Sequence, residues 1–192
     1  MDEFEIAVRQ SQSVSYAIGL LKQHREELGF IPTAAFEKYN DQGCLNLALL
    51  NGQPCGYLLH SQPRPTKDTV IFQACIQYDT RRRLYGALLV ESLVRESREV
   101  GALGLSCKCA FDIEANSFWD SIGWYCTGQI RGGVKRARLL NMWRLDIATP
   151  LLKVVANPVS GEKSQRIYEL QRRTGKLLLP FGATNGYGVK QP

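Results

Sequence analysis

Runs of apolar residues separated by polar turns divide the first third of the chain into predicted elements. Residues 4–10 alternate between apolar and polar side chains, which is typical of a strand. Residues 14–29 carry apolar side chains at helical spacing, with Ser13 as the expected cap and Gly29 as the expected end. A second short helix is expected over residues 32–40. The chain therefore begins with a strand followed by two helices.

The next segment has the pattern of a three-stranded meander. Residues 44–61, CLNLALLNGQPCGYLLHS, contain two apolar runs joined by Asn51-Gly52, which is a strong signal for a tight hairpin. Residues 69–77, TVIFQACIQ, predict a third strand. Because that strand is almost entirely apolar, we expect it to be buried on both faces.

Helices and strands alternate in the second half of the chain. The pattern predicts a helix over 81–100, a buried strand over 102–110, a short helix over 112–123, and a hairpin from 124–130 and 139–147. The expected inner face of the first of these helices consists of Leu88, Leu89, Leu93 and Val94. The complete order, β-α-α-β-β-β-α-β-α-β-β, predicts an α/β (α+β) fold in which helices flank a mixed central sheet.

Charge separates a body from a tail. The chain of 192 residues has a net charge of +6, and residues 150–192 hold seven Lys/Arg and two Glu. We therefore predict one domain over 1–149 and a basic C-terminal extension over 150–192, with a helix at 161–174 and a Gly-rich end. Within the body, residues 128–144 carry five basic residues and no acidic one. This surplus indicates either a polyanionic partner or a basic, solvated surface.

Other features of the sequence narrow the class of protein. No run of apolar residues is long enough for a membrane span, and the N-terminus is acidic without a signal-peptide pattern, so we expect a cytoplasmic protein. The six cysteines include no CxxC pair and lie mostly in apolar runs, which favours packed thiols over a zinc ribbon. No metal site is expected.

Three consecutive arginines mark the predicted junction between the third meander strand and the helix after it. The junction has the sequence Arg81-Arg82-Arg83-Leu84-Tyr85-Gly86. A helix N-terminus offers free N–H groups and the positive end of the helix dipole, so a pyrophosphate can bind there. An arginine beside it adds a charge-assisted hydrogen bond. The segment is either the edge of a phosphate-binding loop or a solvated basic helix start.

A second motif, ANSFWDSIGW at residues 115–124, lies in the last predicted helix. With the RRRLYG loop and the order of elements, it resembles the GNAT acyltransferase family over about residues 4–148. That family has the loop (Gln/Arg)-x-x-Gly-x-(Gly/Ala) directly after the fourth strand, and a run ending in (Phe/Tyr)-x-x-x-Gly-Phe. The resemblance implies binding of acetyl-CoA or another acyl-CoA at residues 81–86. It also implies an oxyanion-binding main-chain N–H near Cys75 or Ile76.

The sequence departs from the family pattern at three positions. Leu84 replaces the first loop glycine, Asp112 stands where an asparagine is frequent, and Trp119 replaces the tyrosine that acts as general acid. A side chain at position 84 narrows the approach of a pyrophosphate unless that position is helical and tolerant. Trp119 has no hydroxyl group and cannot protonate a leaving thiolate.

Three residues are therefore candidates for catalysis. Tyr125 is a substitute acid, or else a packed tyrosine of a strand. Asp112 is a polar group of the active site, or else a helix cap. His60 is the best titrating group near the expected mouth of the cleft, or else a partly exposed residue at the edge of a loop.

Three features resemble the bacteriophage Mom-like branch of the superfamily, which modifies adenine in DNA. They are the loop without its first glycine, the tryptophan in place of the tyrosine, and the basic hairpin. That resemblance implies double-stranded DNA as a partner, with an extruded base stacked on Tyr125 or Trp124. The phosphate backbone would be bound by Arg131, Lys135, Arg136 and Arg138. Three functions stay open: transfer to a DNA base, acyl transfer to an amine of a small molecule or protein, and binding of nucleic acid without catalysis.

Overall fold

The structure, a computed structural model, describes residues 3–133 and 138–147 of the 192-residue chain. All of them belong to one compact unit, Met1–Ala148. The predicted extension over 150–192, with its helix at 161–174, lies outside the described residues. So do Lys135 and Arg136 of the predicted DNA-binding set.

The order of strands and helices agrees with the prediction from the hydrophobic pattern. The elements are β1 (Phe4–Val8), α1 (Ser13–Gln23), α2 (Thr33–Asp41), β2 (Leu45–Leu50), β3 (Gln53–His60), β4 (Asp68–Ile76), α3 (Tyr85–Glu99), β5 (Gly104–Ala110), α4 (Ala115–Ser121), β6 (Tyr125–Arg131) and β7 (Leu139–Asp146). A single 3₁₀ turn, Tyr78–Thr80, lies between β4 and α3.

The seven strands form one mixed sheet in the order β1-β2-β3-β4-β5-β7-β6. Every neighbouring pair is antiparallel except β4 and β5, which are parallel. The predicted α/β mixed sheet flanked by helices is therefore confirmed. The hairpin between β2 and β3 turns at Asn51 and Gly52, whose φ angles of 50° and 74° are those of the twisted turn that Asn-Gly favours.

Each face of the sheet is covered by its own pair of helices and its own core. Helices α1 and α2 bury Ala17, Leu20 and Phe36 against Leu47 and Tyr57. On the other face, α3 and α4 cover a larger core. It includes Leu58, Leu89, Leu93, Leu105, Cys107, Trp119 and Trp143. The sheet thus lies between two separate layers of helices.

The ends of two helices differ from the prediction. Helix α1 stops at Gln23 rather than at Gly29, because the chain turns at His24–Leu28. Ser13 is the first helical residue and not a cap; its hydroxyl group is buried without a hydrogen bond. Helix α3 begins at Tyr85 rather than at residue 81. Residues 24–31 and 77–84 are consequently loops, and both belong to the candidate site.

Two predictions about burial were wrong. Strand β4 is not buried on both faces, since its residues alternate and Phe72 is exposed. Leu88 was expected on the inner face of α3 but is exposed, because the face that contacts the sheet contains Leu89, Val90 and Leu93. In the described part of the chain, no helix is long and apolar enough to cross a membrane.

The cysteines of β5 confirm the interpretation of packed thiols. Cys107 and Cys109 lie on one face of the strand and are both buried, as a spacing of two residues requires. Burial raises the pKa of the Cys109 thiol to about 11, so it stays protonated at neutral pH. All six cysteines are free thiols.

Candidate active site

The centre of the sheet opens into a gap where β4 and β5 separate. The two parallel strands pair from Asp68 to Ile71, opposite Gly104 to Cys107, and no further. Beyond that point, residues 72–76 have no ladder partner on β5 in the described structure. A strand edge without a ladder partner therefore lines one side of the gap.

The register with β3 decides which residues of β4 present those groups. Gln77 N donates to Cys55 O at 2.8 Å, so Cys75, two residues earlier and opposite Tyr57, also forms its hydrogen bonds toward β3. Ala74 and Ile76 lie between these positions and direct their N–H and C=O groups toward the gap. Of the two residues predicted to supply an oxyanion-binding N–H, the geometry favours Ile76; the N–H of Cys75 points away.

The loop between β4 and α3 has the backbone of a glycine-rich turn without the glycines. Arg82 and Leu84 both adopt left-handed conformations, with φ of 62° and 65°. Leu84 immediately precedes α3, and its exposed side chain points away from the core. Position 84 is thus not helical, so the alternative of a helical position that tolerates a side chain was wrong. Left-handed residues before a helix help its first N–H groups converge on an anion.

A cavity of about 500 Å³ adjoins this loop and is lined by Arg82, Glu114, Ser117, Phe118 and Ser121. Its walls combine one cationic and one anionic side chain, two hydroxyl groups and an aromatic ring. It lies between the start of α3 and the exposed side of α4.

The first turn of α3 is fixed by aromatic packing. A Cβ atom at Gly86 would come within 3.3 Å of the Phe118 ring, so glycine here permits close contact between α3 and α4. Tyr85 is buried and stacks on Phe4 with ring centroids 5.0 Å apart. Tyr85 and Gly86, both predicted to bind the cofactor, therefore position the helix N-terminus by packing. Only their main-chain N–H groups are available to bind a ligand.

Arg81 turns away from the helix N-terminus and toward the gap. Its Nε donates to the carbonyl oxygen of Ile76 at 3.0 Å, and its guanidinium carbon lies 5.5 Å from the centre of the Tyr78 ring. The same guanidinium contacts Glu27 at 3.5 Å and His24 Nδ1 at 3.2 Å. In this conformation Arg81 contacts the strand edge, whereas the sequence suggested a contact with phosphate. Arg83 belongs to the same loop and is exposed.

His24 and Glu27 were missed by the sequence analysis because they fell within a helix predicted to run to residue 29. In the structure they lie on the loop after α1, with His24 Nδ1 3.2 Å from Glu27 Oε2. The side chain of His24 is mostly buried, and Arg81 connects it to the end of β4. The early end of the apolar pattern, with Leu21 followed by a polar run up to Leu28, was the available signal.

An ion pair crosses the same end of the sheet. Arg138, just before β7, donates to Asp112 Oδ1 at 2.7 Å and to the carbonyl oxygen of Glu26 at 2.6 Å. This hydrogen bond to Arg138 lowers the pKa of the Asp112 carboxyl group. Asp112 is not a helix cap, because the residue before α4 is Glu114. Asp112 does lie at the end of β5 that borders the gap, as expected for a polar group of the site.

Asn116, another residue that the sequence analysis did not single out, holds the start of α4 on the sheet. Its Nδ2 donates to the carbonyl oxygens of Ala110 and Ile113 at 2.7 and 2.8 Å. Its Oδ1 accepts hydrogen bonds from Asn141 at 2.8 Å and from Trp143 Nε1 at 3.0 Å. One side chain thus joins β5, α4 and β7 on the far side of the gap.

The predicted position of His60 was wrong. His60 is fully buried, with Nδ1 donating to the carbonyl oxygen of Ser61 at 2.9 Å and Nε2 3.3 Å from the Asn46 side chain. It lies opposite Ile71, five residues before the end of β4. Burial lowers its pKa, so the imidazole is neutral. Neither the cleft mouth nor an exposed loop edge describes its environment.

Tyr125 lies at the wrong end of the sheet for a general acid. It begins β6 opposite Arg144, and the neighbouring Asp146 is opposite Gly104, the first residue of β5. The gap is at the other end of that strand. Burial and a hydrogen bond to Asp146 raise the pKa of Tyr125 to about 12. The alternative of a packed strand tyrosine fits this environment.

The predicted nucleic-acid contacts are only partly available. Arg131 is exposed at the end of β6, but Arg138 is engaged with Asp112 and Glu26. Trp124, expected to stack on a base, is buried beside Trp119 with ring centroids 4.7 Å apart. Stacking on Trp124 is therefore wrong.

The arrangement of the sheet matches known acetyltransferases in their solved structures. Ard1 from Thermoplasma volcanium superposes with a TM-score of 0.66 and 15% identity, over 76% of this chain and 99% of that chain. The ribosomal-protein-S18-alanine N-acetyltransferase from Escherichia coli gives 0.61 and 14%, over 77% and 96%. N-acetylglutamate synthase from Neisseria gonorrhoeae, complexed with coenzyme A and N-acetylglutamate, gives 0.59 and 11%, over 74% and 35%.

No protein-family model matches the sequence, and no curated protein matches it either. The likeness is therefore one of structure at low sequence identity. The structure agrees with the expectation from the first motif, since the RRRLYG loop lies between the fourth strand and the third helix. The chain has the GNAT acetyltransferase fold.

Proposed function

We propose that this protein is an acyltransferase that moves a small acyl group from acyl-CoA to an amine. The observation that carries the proposal is the edge of β4 at Ala74 and Ile76, which has no ladder partner on β5 and is directly followed by the left-handed loop and the N-terminus of α3. An extended amide-containing chain can add to such an edge as an extra strand. Its pyrophosphate would then reach the helix N-terminus.

The residues present fit acyl-CoA. Ala74 and Ile76 would offer main-chain groups for the two amides of the pantetheine arm, and the N–H groups of Tyr85 and Gly86 at the start of α3 would hold the diphosphate. The cavity beside Arg82 has room for the nucleotide end. Bound acyl-CoA supplies the activated thioester. The protein supplies a donor at Ile76 N–H for the carbonyl oxygen, and it holds the reacting amine above the gap.

The amine enters from the side of the sheet end where three loops meet. Arg138, the residue before β7, joins the loop after α1 to the loop between β5 and α4 there. One similar solved structure is a ribosomal-protein-S18-alanine N-acetyltransferase, and another is an N-acetylglutamate synthase. An amine of a protein or small molecule is therefore the acceptor class that we favour.

A base in DNA, in the manner of the Mom-like branch, is the second candidate. It is supported by exposed Arg131 and by the net charge of +5 on residues 150–192. Engagement of Arg138 with Asp112 weighs against it. Mass spectrometry of nucleosides from DNA of cells that express the protein distinguishes the two, because a new nucleoside mass requires a DNA acceptor.

Calorimetric titration with CoA, dephospho-CoA and pantetheine tests the donor site. We expect CoA to bind with measurable affinity and pantetheine, which lacks the diphosphate, to bind at least tenfold more weakly. Gly86→Val should weaken CoA binding, because a Cβ atom there would lie 3.3 Å from the Phe118 ring and disturb the contact that positions the start of α3. The control Arg95→Ala removes an exposed arginine near the far end of α3 and should bind CoA normally. If the folded wild-type protein does not bind CoA, the proposal is wrong.

A further inference from the structure

The loop after α1 brings a histidine and a carboxylate to the end of β4. His24 Nδ1 and Glu27 Oε2 are 3.2 Å apart, close enough for Glu27 to accept a hydrogen bond from the ring. When Nδ1 carries the proton, the lone pair of Nε2 is free to accept another. A carboxylate that orients an imidazole in this way is the arrangement by which proteins make histidine a base.

Arg81 connects this pair to the candidate site. Its Nε is bound to Ile76 O, and its Nη2 atom lies 3.2 Å from His24 Nδ1 and 3.5 Å from Glu27 Oε2. Because a guanidinium only donates, it bonds to the ring when Nδ1 carries no proton; when Nδ1 donates to Glu27, Arg81 keeps its ion pair with the Glu27 carboxylate. The distance from the strand edge to the imidazole is thus spanned by a single guanidinium group. Ile76 is also the residue whose N–H faces the gap.

We propose that His24 is the general base that deprotonates the acceptor amine, with Glu27 as the positioning residue that fixes its tautomer. The inference rests on the proposed acyltransferase function and deepens it, since it names the group that makes the amine a nucleophile. Tyr125 and His60 lie elsewhere in the sheet, and within the described residues His24 is the imidazole nearest to the end of β4.

The chemical step is balanced with this assignment. The amine nitrogen forms a bond to the acyl carbon, and the carbon–sulfur bond of the thioester breaks. The proton lost by the nitrogen passes to His24 Nε2, while the CoA thiolate leaves and takes a proton from solvent or from the protonated imidazole. The products are an amide and free CoA, and no other reactant is required.

The main-chain contact that ends α1 does not require a histidine at position 24. Helix α1 ends through the main-chain N–H of His24, which donates to Leu20 O, so any residue can provide that contact. The apolar core beneath is formed by Ala17 and Leu20. The described charged groups that face the imidazole are Glu27 on its own loop and Arg81 on the loop after β4.

The test measures CoA release from acetyl-CoA with a thiol reagent. The acceptor probes are a pool of short peptides with free N-terminal amines, and spermidine. We expect His24→Gln to lower kcat at least a hundredfold while the affinity for acetyl-CoA changes less than threefold. The pH dependence of kcat/KM that a catalytic base imposes should also disappear. Glu27→Gln should lower kcat about tenfold and retain a pH dependence of kcat/KM.

Glu37→Gln, on the exposed side of α2, is the matched control and should keep wild-type rates. If His24→Gln does not fold, His24→Ala with added imidazole serves instead, because restored turnover requires a proton acceptor and not a packing residue. Wild-type rates in a folded His24→Gln variant would overturn the role of His24 but not the proposed acyltransferase function. A wild-type protein that binds acetyl-CoA but releases no CoA with any amine would overturn the proposed function, and this inference with it.

Discussion

Arg81 Nε donates a hydrogen bond of 3.0 Å to the carbonyl oxygen of Ile76, at the end of the strand that borders the central gap. That carbonyl faces the gap, so a pantetheine arm added to the edge of β4 would compete with the arginine for it. Release of Arg81 would make its guanidinium available to the diphosphate. The residue therefore has two alternative partners at one site.

A substitution separates these two roles. In Arg81→Ala we expect the affinity for CoA to fall about tenfold to a hundredfold, because a charge-assisted hydrogen bond to phosphate is lost. The affinity for pantetheine should be unchanged or higher, since the competing hydrogen bond to Ile76 is also gone. Calorimetric titration measures both, and a parallel loss for the two ligands would contradict the exchange of partners.

Leu84 is held in a left-handed conformation that favours glycine. A non-glycine residue with φ of 65° costs roughly 1–2 kcal/mol, of which glycine's larger entropy loss on folding returns about half. Leu84→Gly should therefore stabilise the protein by up to about 1 kcal/mol. The matched control Leu88→Gly, at an exposed position within α3, should destabilise it by about 1 kcal/mol. Urea denaturation gives both values, and equal signs would be inconsistent with strain at position 84.

The buried, neutral His60 predicts how stability depends on pH. Its pKa is lowered by burial in the folded protein, so the unfolded chain binds more protons as the pH falls below about 6.5. The free energy of unfolding should therefore decrease below that pH, by at most about 1.4 kcal/mol per pH unit from this group.

Denaturation at pH 7.5 and 5.5 measures the effect. His60→Gln should lose stability at pH 7.5 and show a smaller further decrease at pH 5.5. The chain has two histidines, so His24→Gln is the natural control and should retain the decrease. An unchanged pH dependence in His60→Gln would assign the effect to other groups.

Asn116 satisfies main-chain and side-chain groups of three elements at once. Asn116→Ala leaves Trp143 Nε1 and the Asn141 amide without their acceptor, and we expect a loss of roughly 2–4 kcal/mol. In Asn116→Asp the acceptor is kept but the donor to Ala110 and Ile113 is lost, so the loss should be smaller. Thermal unfolding of the two variants ranks them. A change below about 0.5 kcal/mol in both would remove Asn116 from this role.

Local patterns in the sequence were sufficient for the order of the elements and for the loop that enters α3. Apolar alternation and helical spacing report on burial of neighbouring positions, and Asn51-Gly52 specifies its own turn. For the same reason the boundaries were less accurate. The pattern that continues to Leu28 comes from a side chain that packs on the core from a loop, and it extended the predicted α1 past Gln23.

The identity of the site residues depended on contacts between distant parts of the chain. The sheet order β5-β7-β6 places Tyr125 where β5 begins, and pairing with β4 buries His60 opposite Ile71. The turn at His24–Leu28 brings His24 beside Arg81, which is 57 residues later. Sequence alone determined that a helix follows the third strand of the meander, with the three arginines at the junction. Tertiary structure decided which side chains meet there, because strand order and loop packing are set by the whole sheet and not by neighbouring residues.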